Sequence, residues 1–300
     1  MMILDGVYPP IATPFDDRGR LDTHALAVNV HKWNSTGLRG YVVAGSNGES
    51  ALLEMEEVVE AVDTVRHAAA EGMLVIAGTG RESTAATIQL SKACADVGAD
   101  AALVVTPAYY GGNMTPAALK AHFYAVADAS PVPVIVYNVP KFTHLNMTPE
   151  TVAQIAAHDN IIGLKDSAGD IGQVINLLRL CPPDFRVMVG NGPVYLSALQ
   201  VGAAGGILAL ANVAPAECVA IYKLAKEGRW AEAQEIHFRL MPVGWAVTAG
   251  YGVPGLKAAL DWLGFRGGNP RPPLLPADDR TREAVGAILV EAGLLGTRAS

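Results

Sequence analysis

The sequence predicts a (β/α)8 TIM barrel with a small C-terminal helical extension. Two observations carry this. Short β-branched runs alternate with longer Ala- and Leu-rich segments eight times within about 220 residues, the number of units a closed barrel takes. The runs are also almost continuously apolar, as parallel strands covered on both faces must be.

The first run is Val7 to Thr13, closed by Pro14. A helical pattern follows from Asp22 to Thr36, with Thr23 as its cap and Gly37 as its stop. The second strand, Gly40 to Val43, leads into Ala44-Gly45-Ser46-Asn47-Gly48-Glu49 and a helix from Glu54 to Glu71. The third, Leu74 to Ala77, precedes a helix from Ser83 to Val97. The fourth, Ala101 to Val105, ends in Thr106-Pro107 before a helix from Pro116 to Ala129.

The fifth strand, Val134 to Tyr137, runs into Asn138-Val139-Pro140 and a helix from Pro149 to Ala157. The sixth is Ile161 to Lys165, with a helix near Gly172 to Arg179. The seventh, Arg186 to Val189, ends in Gly190-Asn191-Gly192 before a helix from Val194 to Val201. The eighth, Gly206 to Ala209, precedes a helix from Pro215 to Glu227. Residues 1–228 are thus the barrel and residues 229–300 the extension. The latter reads as helices from Trp230 to Met241, Pro254 to Leu263 and Asp278 to Gly293. It is expected to pack under the barrel or to form an oligomer contact.

With 300 residues, 51% of them hydrophobic and 17% charged, the chain can bury a large core. Its net charge is −7, with no compensating Lys/Arg cluster, so nucleic acid is not an expected partner. Met1-Met2-Ile3-Leu4-Asp5 has no basic region ahead of an apolar run, and no signal peptide is expected. No run reaches the roughly 18 apolar residues of a membrane helix, so no membrane partner is expected either. Cys94, Cys181 and Cys218 lie far apart without metal-type spacing. They read as reduced core thiols of a cytoplasmic protein.

Active sites of such barrels lie at the C-terminal ends of the strands. In order, those ends are Thr13, Ser46, Thr79, Thr106, Tyr137, Lys165, Asn191 and Asn212. None of the seven histidines is among them, and the one carboxylate close by is Asp166. Metal-assisted chemistry, which needs two or three converging ligands, is disfavoured.

What remains is an amine, a phenol and hydroxyls. An amine in an apolar pocket loses solvation of its charged form, which makes the neutral nucleophile available. Such an amine condenses with a ketone to a Schiff base, an electron sink for making or breaking the adjacent C–C bond. A phenol and a hydroxyl can shuttle the protons. On the strand pattern alone, Lys165 is either this nucleophile or a strand-end lysine reaching for water. Tyr137 is a proton shuttle or packing, and Ser46 a site hydroxyl or turn chemistry. Ala44-Gly45-Ser46-Asn47-Gly48 lacks the first glycine of a serine-hydrolase elbow, and no strand-end histidine stands by as its base.

Three motifs stand at matching strand ends: Gly45-Ser46-Asn47-Gly48-Glu49, Tyr137-Asn138-Val139-Pro140 and Gly163-Leu164-Lys165-Asp166-Ser167. With them the chain, from about Gly6 to Pro276, resembles the dihydrodipicolinate synthase / N-acetylneuraminate lyase family of pyruvate-dependent class I lyases. Within it, the chain is most similar to the 4-hydroxy-2-oxoglutarate aldolases, through Gly6-Val7-Tyr8-Pro9-Pro10, Thr106-Pro107-Ala108-Tyr109-Tyr110, Val253-Pro254-Gly255-Leu256-Lys257 and Asp261-Trp262 followed by Gly264-Phe265.

The resemblance implies a Schiff base on Lys165 and no other cofactor. It implies Tyr137 as acid/base phenol, and Ser46 as the hydroxyl linking it to a second tyrosine reaching in from a neighbouring subunit. That tyrosine matches Tyr109, with the adjacent Tyr110 as the other choice. Ser46 and Asn47 would hold the pyruvate carboxylate, and Ser167, Gly190 and Ile207 are further pocket contacts. A homo-oligomer, a dimer of dimers, is implied as well.

Dihydrodipicolinate synthases carry an arginine two residues after the Y-N-V-P motif, where it binds the aldehyde's carboxylate. Phe142 stands there in this chain, beside Lys141. A phenyl ring does not replace a guanidinium fork on a carboxylate. The expected reaction is therefore cleavage of 4-hydroxy-2-oxoglutarate to pyruvate and glyoxylate. Condensation of pyruvate with aspartate semialdehyde, and sugar-acid aldolase or dehydratase chemistry, are the alternatives. Outside this class stand a barrel binding phosphate or nucleotide at Gly190-Asn191-Gly192 and Gly205-Gly206, and a non-catalytic relative.

Overall fold

The computed structural model describes residues 2–296; the last four residues of the expected extension lie outside them. Eight parallel strands form the barrel: β1 (Gly6–Tyr8), β2 (Gly40–Val43), β3 (Leu74–Gly78), β4 (Ala101–Val105), β5 (Val134–Asn138), β6 (Ile161–Asp166), β7 (Arg186–Val189) and β8 (Gly205–Ile207). From β2 to β8 each strand pairs with its sequence neighbour, and β1 pairs with β8. Between β1 and β2 the ring closes through Ile11 N–H to Val42 O at 2.9 Å and Val42 N–H to Pro9 O at 2.9 Å. β1 is shorter than the predicted run because Pro9 and Pro10 have no N–H to donate to a ladder.

The intervening helices are α1 (Thr23–Trp33), α2 (Met55–Ala68), α3 (Thr84–Asp96), α4 (Pro116–Ala129), the single turn α5 (Pro140–Thr143), α6 (Pro149–Ile155), α7 (Ile171–Leu180), α8 (Tyr195–Val201) and α9 (Pro215–Lys226). Asp22, not Thr23, caps α1, its carboxylate accepting the Ala25 N–H at 2.8 Å. The predicted eighth strand ends at Ile207, and Ala209–Asn212 forms a 3-10 turn instead. There Asn212 is wholly buried, donating to Pro10 O and accepting from Ala12 N–H, which staples β8 to the loop after β1.

Two apolar layers follow from the two-residue period of the strands. Leu4, Tyr8, Ile76, Ile135, Met188 and Ile207 fill the barrel interior. Val75, Val134, Val136, Leu164 and Val187 face outward into the helix shell. Glycine is required where layers meet: a Cβ on Gly205 would overlap the Gly6 carbonyl, and one on Gly206 would sit 2.9 Å from both Leu208 and Tyr195. These glycines serve close backbone approach, not a phosphate turn. No helix among the described residues is long and apolar enough to cross a membrane.

The extension consists of α10 (Trp230–Trp245), a π-helical turn (Ala246–Gly250), α11 (Gly252–Trp262) and α12 (Asp279–Glu291). α10 runs past the predicted stop with Pro242 inside it, and the wider turn follows directly. Such turns absorb a helical irregularity and recur at functional sites. The extension does not pack under the barrel as expected. Its α10–α11 corner stands over the C-terminal strand ends, where Met241, Trp245, Val247 and Thr248 wall a cavity with Lys165 on its opposite side.

Candidate active site

Lys165 ends the inward-facing positions of β6, and Tyr137 stands beside it in register on β5. The strand period that points both into the barrel points their successors out. Asp166 and Asn138 accordingly meet in the helix shell, Asn138 Nδ2 donating to Asp166 Oδ1 at 2.7 Å. Gln173 of α7 donates to the same oxygen at 3.0 Å. Burial pushes the Asp166 carboxyl above its ordinary value against these hydrogen bonds. Asp166 thus braces β5 against β6 and does not face the cavity.

Inside, Lys165 is 2% exposed, and its Nζ lies 4.0 Å from the centroid of the Tyr137 ring. A lysine that reached for water would not be this buried, so Lys165 is not a solvated strand-end lysine. The Tyr137 hydroxyl is 3.4 Å from Ser46 Oγ. Among the described residues no three His, Cys, Asp or Glu side chains converge as a metal site would need.

The cavity holds about 270 Å³, small enough for a compact acid and short of the usual ~300–1,000 Å³ of ligand sites. Ser46, Asn47, Tyr137, Lys165, Ser167 and Gly190 form its floor. Gly190 must be glycine: an added Cβ would overlap Ser167 Oγ and come within 2.8 Å of Lys165 Cε. Ile207 does not line this cavity; it is buried in the barrel interior.

Phe142, on α5, sits at the rim and is 60% exposed. Lys141 also lines the cavity, its Nζ 3.4 Å from Thr248 O and 5.5 Å from the Phe142 ring centroid. The single turn of α5 brings both side chains to the rim, which residue spacing in the sequence did not reveal. Tyr109 is 79% exposed and packs edge-on against Tyr110, and neither lines this chain's own cavity.

The Ser46–Asn47 turn is bracketed by two non-glycine residues in the left-handed region, Ala44 (φ 53) and Glu49 (φ 59). Each such residue costs on the order of 1 kcal/mol and persists only where its surroundings hold it. Three contacts hold this turn. Thr13 Oγ1 donates to Gly48 O at 2.7 Å. The Arg271 N–H donates to Glu49 Oε2 at 2.7 Å, and Lys257 Nζ of α11 lies 2.6 Å from Glu49 Oε1. Burial pushes the Lys257 ammonium below its ordinary value while Glu49 pushes it back up. Sequence reasoning noted Lys257 within a motif but assigned it no role. Its signal is a lysine in the apolar helical run Gly255 to Leu260.

A profile of the dihydrodipicolinate synthetase family matches residues 3–292. The chain belongs to that family. It is 37% identical over 287 residues to a 4-hydroxy-tetrahydrodipicolinate synthase from Methanothrix thermoacetophila, covering 95% of this chain and 96% of the relative. It is 38% identical to the enzyme of that name from an Exiguobacterium species, over 90% of this chain and 92% of the relative. A chloride-inhibited dihydrodipicolinate synthase from Acinetobacter baumannii, solved with pyruvate, superposes with a TM-score of 0.93 at 30% identity, covering 97% and 100% of the two chains. The protein is thus a carbon–carbon lyase of the pyruvate-dependent class I type, a family that works through a covalent lysine Schiff base. The expected likeness to 4-hydroxy-2-oxoglutarate aldolases finds no counterpart among these relatives.

Proposed function

We propose that this protein joins pyruvate to a carboxylate-bearing aldehyde through a Schiff base on Lys165. The observation that carries this is the buried Lys165 amine against Tyr137 in a small cavity. The Lys165 amine adds to the ketone of pyruvate, and loss of water leaves the imine. Deprotonation of the methyl group gives an enamine, whose carbon attacks the aldehyde; hydrolysis then frees the lysine. Tyr137 and Ser46 carry the protons of these steps. Ser46 and Asn47 hold the pyruvate carboxylate, with Ser167 at the cavity floor.

The names of the relatives support aspartate semialdehyde as the partner, and hence the synthase direction. With Phe142 in the arginine's place, Lys141 is the cation at the rim available to the aldehyde's carboxylate. Phe142 itself supports a second reading, retro-aldol cleavage of 4-hydroxy-2-oxoglutarate to pyruvate and glyoxylate. Tyr109 completes the proton relay from a neighbouring copy in a homo-oligomer under either reading, since its exposed ring lies outside its own cavity.

Two assays test the two levels in turn. Pyruvate with borohydride should add mass to the peptide bearing Lys165; an unmodified Lys165 would remove the mechanism. Parallel turnover of aspartate semialdehyde and 4-hydroxy-2-oxoglutarate then ranks the partners. Exclusive use of the latter would overturn the synthase reading.

A further inference from the structure

Lys257 and Glu49 form an ion pair with side chains 1% and 0% exposed, and neither lines the cavity. A buried pair is weak as a source of stability, because desolvation offsets most of the attraction. Its position is more telling. Glu49 is the last residue of the turn that carries Ser46 and Asn47, and its backbone is held at φ 59. The Glu49 N–H donates to Ser46 O at 3.2 Å, so rotation at Glu49 moves Ser46 directly.

Among the described residues, both partners of the Glu49 carboxylate come from the extension. Lys257 belongs to α11, and the Arg271 N–H to the segment after it. Lys257 is fixed in turn by Asn269 O at 2.9 Å and by the Phe15 ring, whose centroid lies 4.4 Å from Nζ. Arg271 lies over the same ring at 4.3 Å and grips Glu57 of α2 with two contacts of 2.6 Å.

We propose that Lys257 is a positioning residue for pyruvate: through Glu49, the C-terminal extension sets the geometry of the Ser46–Asn47 turn and thereby the affinity of the site for the pyruvate carboxylate. This rests on the Schiff-base reading of the site. An amine removed from the cavity by one layer of protein thus controls binding of one substrate and not of the other.

The test is borohydride trapping as a function of pyruvate concentration in the full chain. Lys257→Met strands the Glu49 carboxylate, and the half-trapping concentration should rise about tenfold or more while the aldehyde KM stays within about twofold. Leu289→Ala opens a cavity under α12, elsewhere in the extension, and it should lower the melting temperature without moving the trapping curve. Where Lys257→Met does not fold, Glu49→Gln keeps the shape and the Arg271 contact, and should shift the curve about threefold or more. Curves for the folded variants that coincide with wild type overturn the proposal alone. A wild-type protein that pyruvate and borohydride leave unmodified overturns the Schiff-base reading and this proposal with it.

Discussion

The Lys165 amine lies 4.0 Å from the centroid of the Tyr137 ring, and the hydroxyl of that ring is 3.4 Å from Ser46 Oγ. Register between adjacent strands produces the first relationship, and a turn after a third strand supplies the second. Tyr137→Phe keeps the ring against the amine and removes the proposed proton carrier. It should lower kcat by about 10²–10³-fold, with borohydride trapping of pyruvate slowed but still located at Lys165. Trapping at an unchanged rate would place the proton carrier elsewhere.

Phe142 stands at the cavity rim, the proposed end for the second substrate. Phe142→Arg introduces the bidentate carboxylate receptor that the chain lacks. The kcat/KM for aspartate semialdehyde should rise about tenfold relative to that for 4-hydroxy-2-oxoglutarate. Lys141→Ala should lower kcat/KM for both substrates without changing pyruvate trapping. Steady-state assays on the two substrates read both effects.

Gly190 permits Lys165 and Ser167 to share the cavity floor. Gly190→Ala forces one or both aside. Because a displacement near 1 Å at the reacting centre can cost about 10²-fold, kcat should fall by that order. Far-UV circular dichroism should stay native, since the overlap falls on two side chains and not on the strand ladder.

Glu57 is a pH-dependent contributor to stability. Its hydrogen bonds to Arg271 hold the carboxyl below its ordinary value of 4.5, and the same side chain accepts the Glu54 N–H that caps α2. A lowered folded-state pKa stabilises fully above the unfolded value and is lost as pH falls through the folded one. Glu57→Gln should therefore cost about 1–2 kcal/mol at neutral pH. The gap to wild type in urea denaturation should narrow as pH falls below the ordinary value of 4.5. A gap independent of pH would show that the carboxylate charge of Glu57 does not carry the effect.

The barrel was legible because β-branched runs and amphipathic helical segments obey local rules, and because both faces of each strand are covered. Gly205 and Gly206, which the sequence leaves open as a phosphate turn, serve close packing once the layers are assembled. Lys165 and Tyr137 were legible as strand-end residues, but the choice between nucleophile and solvated lysine was not. Burial is a property of the assembled barrel. The predicted β1 was too long because its apolar run hides two prolines that interrupt a ladder without changing the hydrophobic pattern. The α10 boundary at Met241 failed because packing sustains a helix through Pro242 where local propensity would end it.

By itself, the sequence determined the eight-unit architecture and the strand-end residues proposed to carry the chemistry, since strand period and element order are written along the chain. Only the tertiary structure decided what encloses that chemistry. Lys141 and Phe142 reach the rim through one helical turn, and the extension crosses to the C-terminal face to supply a cavity wall. Lys257 meets Glu49 across a separation of more than 200 residues in the chain. Contacts at that distance follow from how the layers pack, because buried charges and apolar walls find their partners only when the elements that carry them are brought together.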